Sequence, residues 1–389
     1  MGGLFKRRRN IVLLIILGAV VVTAVALRHF ASTHLRAMSV LLRFSSPQST
    51  GLGVRFARHP FKEEIGSAQG ASGQFKYRIY RPSDVSNPAG MVLLHGVHHL
   101  GIEEPRLMSF SRALAAAGIE VMTPELHDLA DYHVTPRTVD QIGIAAVVLS
   151  TQLKQPKVGV MGLSFAGGLA LLAACKSDYA GKIGFVVAIG SHDDLGRVSR
   201  FFATNAIEKP DGGTAPFQAH EYGVLVLAYS HLDGFFSAAD EPAAKDALRL
   251  WLWEDGGEGM KAAQKLSPQG QQEFDRLLHH RDQVRQQLLQ EIETHKDEMA
   301  AVSPHGQLQN LRVPTFLLHG EGDTVIPASE TLWLSQDVPH NYLKAALVSP
   351  ALIHVNMDEK VSLSQRWALV HFLAQVLGNA DQLRHSNSS

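Results

Sequence analysis

Ser164 lies in the run Gly162-Leu163-Ser164-Phe165-Ala166-Gly167-Gly168, directly after the apolar stretch Val158-Gly159-Val160-Met161. An apolar run, Phe165 to Cys175, follows it. A serine at a strand-to-helix turn projects its Oγ from the carboxyl edge of a sheet, and small neighbours relieve the crowding of that turn. The usual spacing is G-x-S-x-G; here Ala166 stands two after the serine and the glycine comes one later. A serine hydroxyl is a weak nucleophile until an imidazole takes its proton, and the imidazole in turn needs a carboxylate to fix its tautomer. Asp323 and His354 are the candidates. Asp323 closes the run Phe316-Leu317-Leu318-His319-Gly320-Glu321-Gly322-Asp323, and His354 comes 31 residues later, ahead of a final helical stretch. An acyl-transfer site also needs donors for a developing oxyanion. The Phe165 N–H, at a helix amino terminus, is one. The Val97 N–H, just after Leu93-Leu94-His95-Gly96, is placed to be the second.

These residues need a scaffold that delivers them to one edge, and the hydrophobic pattern supplies it. Residues 75–80 alternate with period two, as a half-exposed strand does. Residues 91–94, 119–122, 158–161, 185–189 and 314–318 are short apolar runs, as buried parallel strands are. Between them, 107–117, 139–153 and 165–175 read as helices. Alternating β and α predicts a mostly parallel, doubly wound sheet. The rhythm stops at 193–310, where leucines at helical spacing predict a helical insertion. It resumes at 311 and closes with a helix over about 362–377.

At this point the chain resembles the α/β-hydrolase superfamily, over residues 75–192 and 311–378. The order Ser164, Asp323, His354 is the order named for that fold. The resemblance implies an α/β-hydrolase fold with a helical lid at 193–310. It also implies Ser164 as nucleophile, His354 as general base, Asp323 as the orienting acid, and Phe165 and Val97 as the oxyanion hole. It further implies a carboxylic ester substrate, small or lipid-like, and chemistry that calls for no metal or organic cofactor. A serine peptidase or amidase and a non-catalytic hydrolase-like protein are the rival readings.

Other residues are read as supporting. Asp193, in His192-Asp193-Asp194, is the reserve acid. His98 and His99 lack a nearby carboxylate and read as pocket rim rather than metal ligands. His95 and His319 read as structural, and Cys175 as a buried small apolar residue. Ser230-His231-Leu232-Asp233 falls inside the insertion. Trp251 and Trp253 face either an acyl pocket or, the preferred reading, the lid interface.

The 389 residues are 45% apolar and 19% charged, a globular composition. Lys plus Arg is 36 and Asp plus Glu 37, so no basic nucleic-acid surface is expected. One cysteine excludes an intrachain disulfide. The charge is uneven, however. Lys6, Arg7, Arg8 and Arg9 precede the uncharged run Ile11–Leu27. Its 17 residues span roughly 25 Å as a helix, close to a ~30 Å hydrocarbon core. Residues 1–30 are therefore expected to be a single-pass anchor with the catalytic part outside the cytoplasm, or a signal cleaved near Ala26. Residues 31–74 are expected to be a stalk, and 379–389 a disordered tail.

Overall fold

The computed structural model describes residues 2–70, 73–353, 356–357 and 362–386. His354, the expected general base, lies outside the described residues. The main strands are β1 (Phe61–Gly70), β2 (Gly73–Pro82), β3 (Ala89–Leu94), β4 (Ile119–Pro124), β5 (Val158–Leu163), β6 (Ile183–Ile189), β7 (Ala206–Glu208), β8 (Thr214–Pro216), β9 (Thr315–Gly320) and β10 (Leu343–Ser349), ten in all. Strands β7 and β8 form a small ribbon. The other eight form one sheet in the order β1-β2-β4-β3-β5-β6-β9-β10. Strand β2 runs antiparallel to both β1 and β4; from β4 to β10 every pairing is parallel.

The strands are apolar on both faces because helices cover both. Val92, Leu94, Val158, Val160 and Val186 pack with the helices Pro136–Gln152 and Phe165–Cys175. The alternate residues Met91, Leu93, Met161, Phe185 and Val187 pack with Pro105–Ala116 and the closing helix Leu363–Ser386. The period of two sends neighbours to opposite sides, so each strand knits two cores. Strand order reverses between β3 and β5, where ligands bind in open α/β sheets. This is the α/β-hydrolase fold, a mostly parallel doubly wound sheet. The insertion at 193–310 is helical apart from the β7–β8 ribbon, and it has its own core around Tyr229, Leu248, Val284 and Leu288.

Two expectations are corrected. Residues 31–74 do not form a stalk. One helix runs from Gly2 to Ser45, and its second half carries fully buried Ala37, Ser39 and Val40. Arg36 pairs with Asp381 of the closing helix at 2.6 Å and donates to the Ala117 carbonyl at 2.9 Å. Phe61–Gly70 is then the edge strand of the sheet, paired with β2 along its length. Its outward Lys62, Glu63 and Glu64 hide it from a search for apolar alternation, yet charge is what a solvent-facing edge requires. The expected tail also begins too early. The closing helix continues to Ser386, with Ala380 buried and Leu383 packed against the sheet at Gly184, where a Cβ would come within 2.5 Å of it.

Candidate active site

Ser164 joins β5 to the helix Phe165–Cys175 with φ 56° and ψ −136°. That conformation costs a non-glycine residue on the order of 1–3 kcal/mol and persists only where the surroundings enforce it. The enforcement is visible. The Ser164 N–H donates to the Ile189 carbonyl at 2.8 Å, and the Gly167 N–H donates to the Ser164 carbonyl at 3.0 Å. A Cβ on Gly162 would stand 2.5 Å from the Ala166 carbonyl group, and one on Gly167 would strike the Ser191 hydroxyl. Glycine is therefore required two before and three after the serine. Position 166 accepts alanine, whose side chain packs in the core between sheet and helix. Among the described residues the Ser164 side chain caps no helical N–H. A helix-capping serine spends its oxygen on that bond; this one does not.

Beside the serine runs the turn after β3. Leu94 pairs with Gly162 across the sheet, so the next residues pass Ser164. A Cβ on Gly96 would come 3.0 Å from the Ser164 Cβ. His95 fixes this turn. Its Nε2 accepts the Leu126 N–H at 3.0 Å, so its Nδ1 carries the proton and donates to the Gly96 carbonyl at 2.7 Å. Burial pushes its pKa down to about 4, keeping it neutral. A carbonyl and the N–H of the next residue point oppositely across a trans peptide. Holding the Gly96 oxygen therefore sets the direction of the Val97 N–H. The Phe165 N–H belongs to the first helical turn, whose amides have no acceptor within the helix. His95 is structural, as expected, and its task is the turn that carries Val97.

Asp323 follows β9. One carboxylate oxygen accepts the Val325 N–H at 2.9 Å and the Ile326 N–H at 3.1 Å. The other lies 3.7 Å from the His319 Nε2. His319 is fully buried; its Nε2 donates to the Ile326 carbonyl at 2.8 Å and its Nδ1 accepts the Thr331 hydroxyl at 2.7 Å. Burial pushes the His319 pKa down, so the ring is a neutral brace for the aspartate loop. Ser164, Val97 and Asp323 line one cavity of about 700 Å³. Leu352, two residues before His354, lines it too.

The reserve acid Asp193 is elsewhere. It is fully buried, and its carboxylate accepts from Arg197 at 2.7 Å. Burial, then the charge of Asp337, pushes its pKa up to about 7. His98 lines the cavity and His99 stacks on it at 4.8 Å, as the rim reading predicts. Trp251 meets both readings: it packs against Phe274 of the insertion and also lines the cavity. Trp253 lies at the surface, stacked on His99. His231 stacks on His295 at 3.7 Å, inside the lid and away from the cavity lining. Sequence reasoning missed Phe44, Phe110, Tyr222 and Leu277, all cavity-lining. None carries a local signal, since their meeting depends on how the lid and the first helix pack.

No protein-family model matches the chain, and no curated protein does. Solved structures similar to it include brefeldin A esterase, a bacterial homologue of human hormone sensitive lipase. It is 16% identical over 92% of this chain and 87% of that one, with a TM-score of 0.46. A Pyrobaculum calidifontis esterase is 17% identical over 95% of this chain and 92% of that one, with a TM-score of 0.44. A dipeptidyl aminopeptidase IV from Bacteroides ovatus is 12% identical over 83% of this chain and 36% of that one, with a TM-score of 0.48. The α/β-hydrolase fold of this chain stands on its own strand order and its own serine turn.

Proposed function

We propose that this chain is a serine hydrolase that cleaves carboxylic esters through an acyl-enzyme on Ser164. The observation that carries the reading is Ser164 itself: a strained, uncapped serine that opens on the same cavity as Val97 and Asp323. In the proposed cycle Ser164 Oγ attacks the ester carbonyl as its proton passes to the imidazole of His354. Asp323 holds the imidazole's tautomer and stabilises the imidazolium. The Phe165 and Val97 N–H groups bind the oxyanion. Collapse breaks the bond to the alcohol, which leaves with the proton from His354. A water, deprotonated by His354, then attacks the acyl group and frees Ser164.

The same reading places the enzyme at a membrane. Among the described residues one helix is long and apolar enough to cross a bilayer. Four cations precede the apolar run, which supports a cytoplasmic amino terminus and a catalytic body on the other side.

A membrane fraction treated with a fluorophosphonate probe tests the nucleophile. Labelling in wild type and none in Ser164→Ala is the expected result; persistent labelling in the variant would overturn it. One observation favours a second reading, a peptidase or amidase: Glu221 and Glu254 line the cavity and could grip a substrate amine. A p-nitrophenyl ester series beside aminoacyl anilides separates the two. Faster turnover of the anilides would overturn the ester assignment.

A further inference from the structure

The helix Gly2–Ser45 has two unlike halves. In the first, Ile16, Leu17, Val20, Val21, Val22 and Leu27 are each more than half exposed. In the second, Ala37 and Val40 are buried against the catalytic body. The last turn ends in the cavity: Phe44 lines the space that holds Ser164, its ring 5.2 Å from that of Phe110. Leu107 lies on the same helix as Phe110 and also faces the cavity. The lid adds Leu225, Trp251 and Leu277. Polar lining comes from other side chains, among them Glu104 and Arg106, which bond to each other at 2.8 Å. A helix whose exposed half suits a bilayer therefore supplies, at its other end, one apolar wall of the catalytic cavity.

We propose that Phe44 is a specificity-determining residue and that the substrate is a single-chain acyl ester of the kind that partitions into membranes. The proposal rests on the ester-hydrolase reading above. A cavity of about 700 Å³ is of the size that takes one drug-sized ligand, which fits one acyl chain and a modest alcohol. Its apolar walls converge from the first helix, the helix Pro105–Ala116 and the lid, so the chain is desolvated along its length. Each methylene so buried adds to the grip on the chain, and a short ester gains little of that sum. Esters with long chains are held in bilayers for the same reason, and the exposed half of the same helix suits that setting.

The test uses the full-length protein in detergent micelles and a ladder of p-nitrophenyl esters from butanoate to hexadecanoate. Phe44→Trp fills the trough, so the ratio of kcat/KM for hexadecanoate to that for butanoate is expected to fall about tenfold relative to wild type. Phe44→Ala widens the trough and is expected to shift the preferred chain length upward. A ratio and an optimum that move in neither variant overturn the proposal, while turnover and fluorophosphonate labelling of Ser164 leave the hydrolase reading standing. Wild-type protein that hydrolyses no ester and takes no label overturns both.

Discussion

Asp193 and Asp323 leave neighbouring strands, β6 and β9, at the same carboxyl edge of the sheet. On sequence either could orient a catalytic imidazole. Their surroundings differ in kind. Asp323 keeps a partly exposed carboxylate on the cavity, tied at one oxygen to the amides of its own loop. Asp193 is sealed in with Arg197 and Glu330. The Arg197 guanidinium donates to Glu330 at 2.6 Å and to Asp193 at 2.7 Å, and lies 4.3 Å over the Trp333 ring. Glu330 accepts the Asp193 and Asp194 N–H groups at 2.8 and 2.9 Å. An acid that must answer a change of charge on its partner needs a cavity beside it. One that clamps the start of the insertion to the core needs burial and a fixed cation.

Three substitutions probe this contrast. Asp323→Asn should lower kcat on esters by about 10⁴-fold, because the imidazole loses its orienting charge, with little change in Tm. Asp193→Asn should leave kcat within a few-fold; if instead it abolishes turnover and Asp323→Asn does not, the two roles are reversed. Arg197→Met should cost about 3–5 kcal/mol in urea unfolding, since the buried Glu330 and Asp193 lose the cation they share. The folded fraction should still take the fluorophosphonate label. The smallest effect belongs to Ala166→Gly, which restores the common serine-turn spacing. Turnover should stay within about two-fold, and stability should fall by about 1 kcal/mol, the cost of glycine in a helix.

Stability against pH sharpens the comparison further. The Asp193 carboxyl has a pKa near 7 in the folded chain against 3.8 when unperturbed. Between those values the folded state binds the extra proton, so stability falls as pH rises. Wild type should therefore lose stability from about pH 4 to 7 relative to Asp193→Asn, read from urea midpoints across that range. Parallel curves would show that Asp193 titrates normally.

The core strands were legible because parallel strands covered on both faces are continuous apolar runs, and helices of ordinary length separate them. The serine turn was legible because its strain demands glycines at fixed offsets; Gly162 and Gly167 meet that demand and Ala166 does not need to. Asp323 stood out by the turn it closes. Three things were not legible. The strand Phe61–Gly70 is an edge, and its glutamates erase the pattern. The second half of the first helix reads as a stalk because its buried Ala37 and Ser39 are small, and what they pack on (the closing helix, Pro105–Ala116 and the turn at 52–56) comes from far along the chain or from the next turn. Phe44 could not be placed at all: it meets Phe110, 66 residues later, through tertiary packing alone. For Trp251 the sequence offers pocket or insertion core without deciding, since one indole serves both together.

The helix Gly2–Ser45 is unbroken over 44 residues, a rod of roughly 66 Å. A flexible tether would let the catalytic body tumble against a surface; a rod clamped along half its length does not. Whatever holds its first half also sets the heading of the body clamped to its second half, so under the anchor proposed above a membrane would act as a bearing surface and not merely as a mooring. Removal of the chain before Ala26 would leave the clamped half, and with it the Phe44 wall, in place. Such a shortened enzyme would keep its pocket and lose its aim.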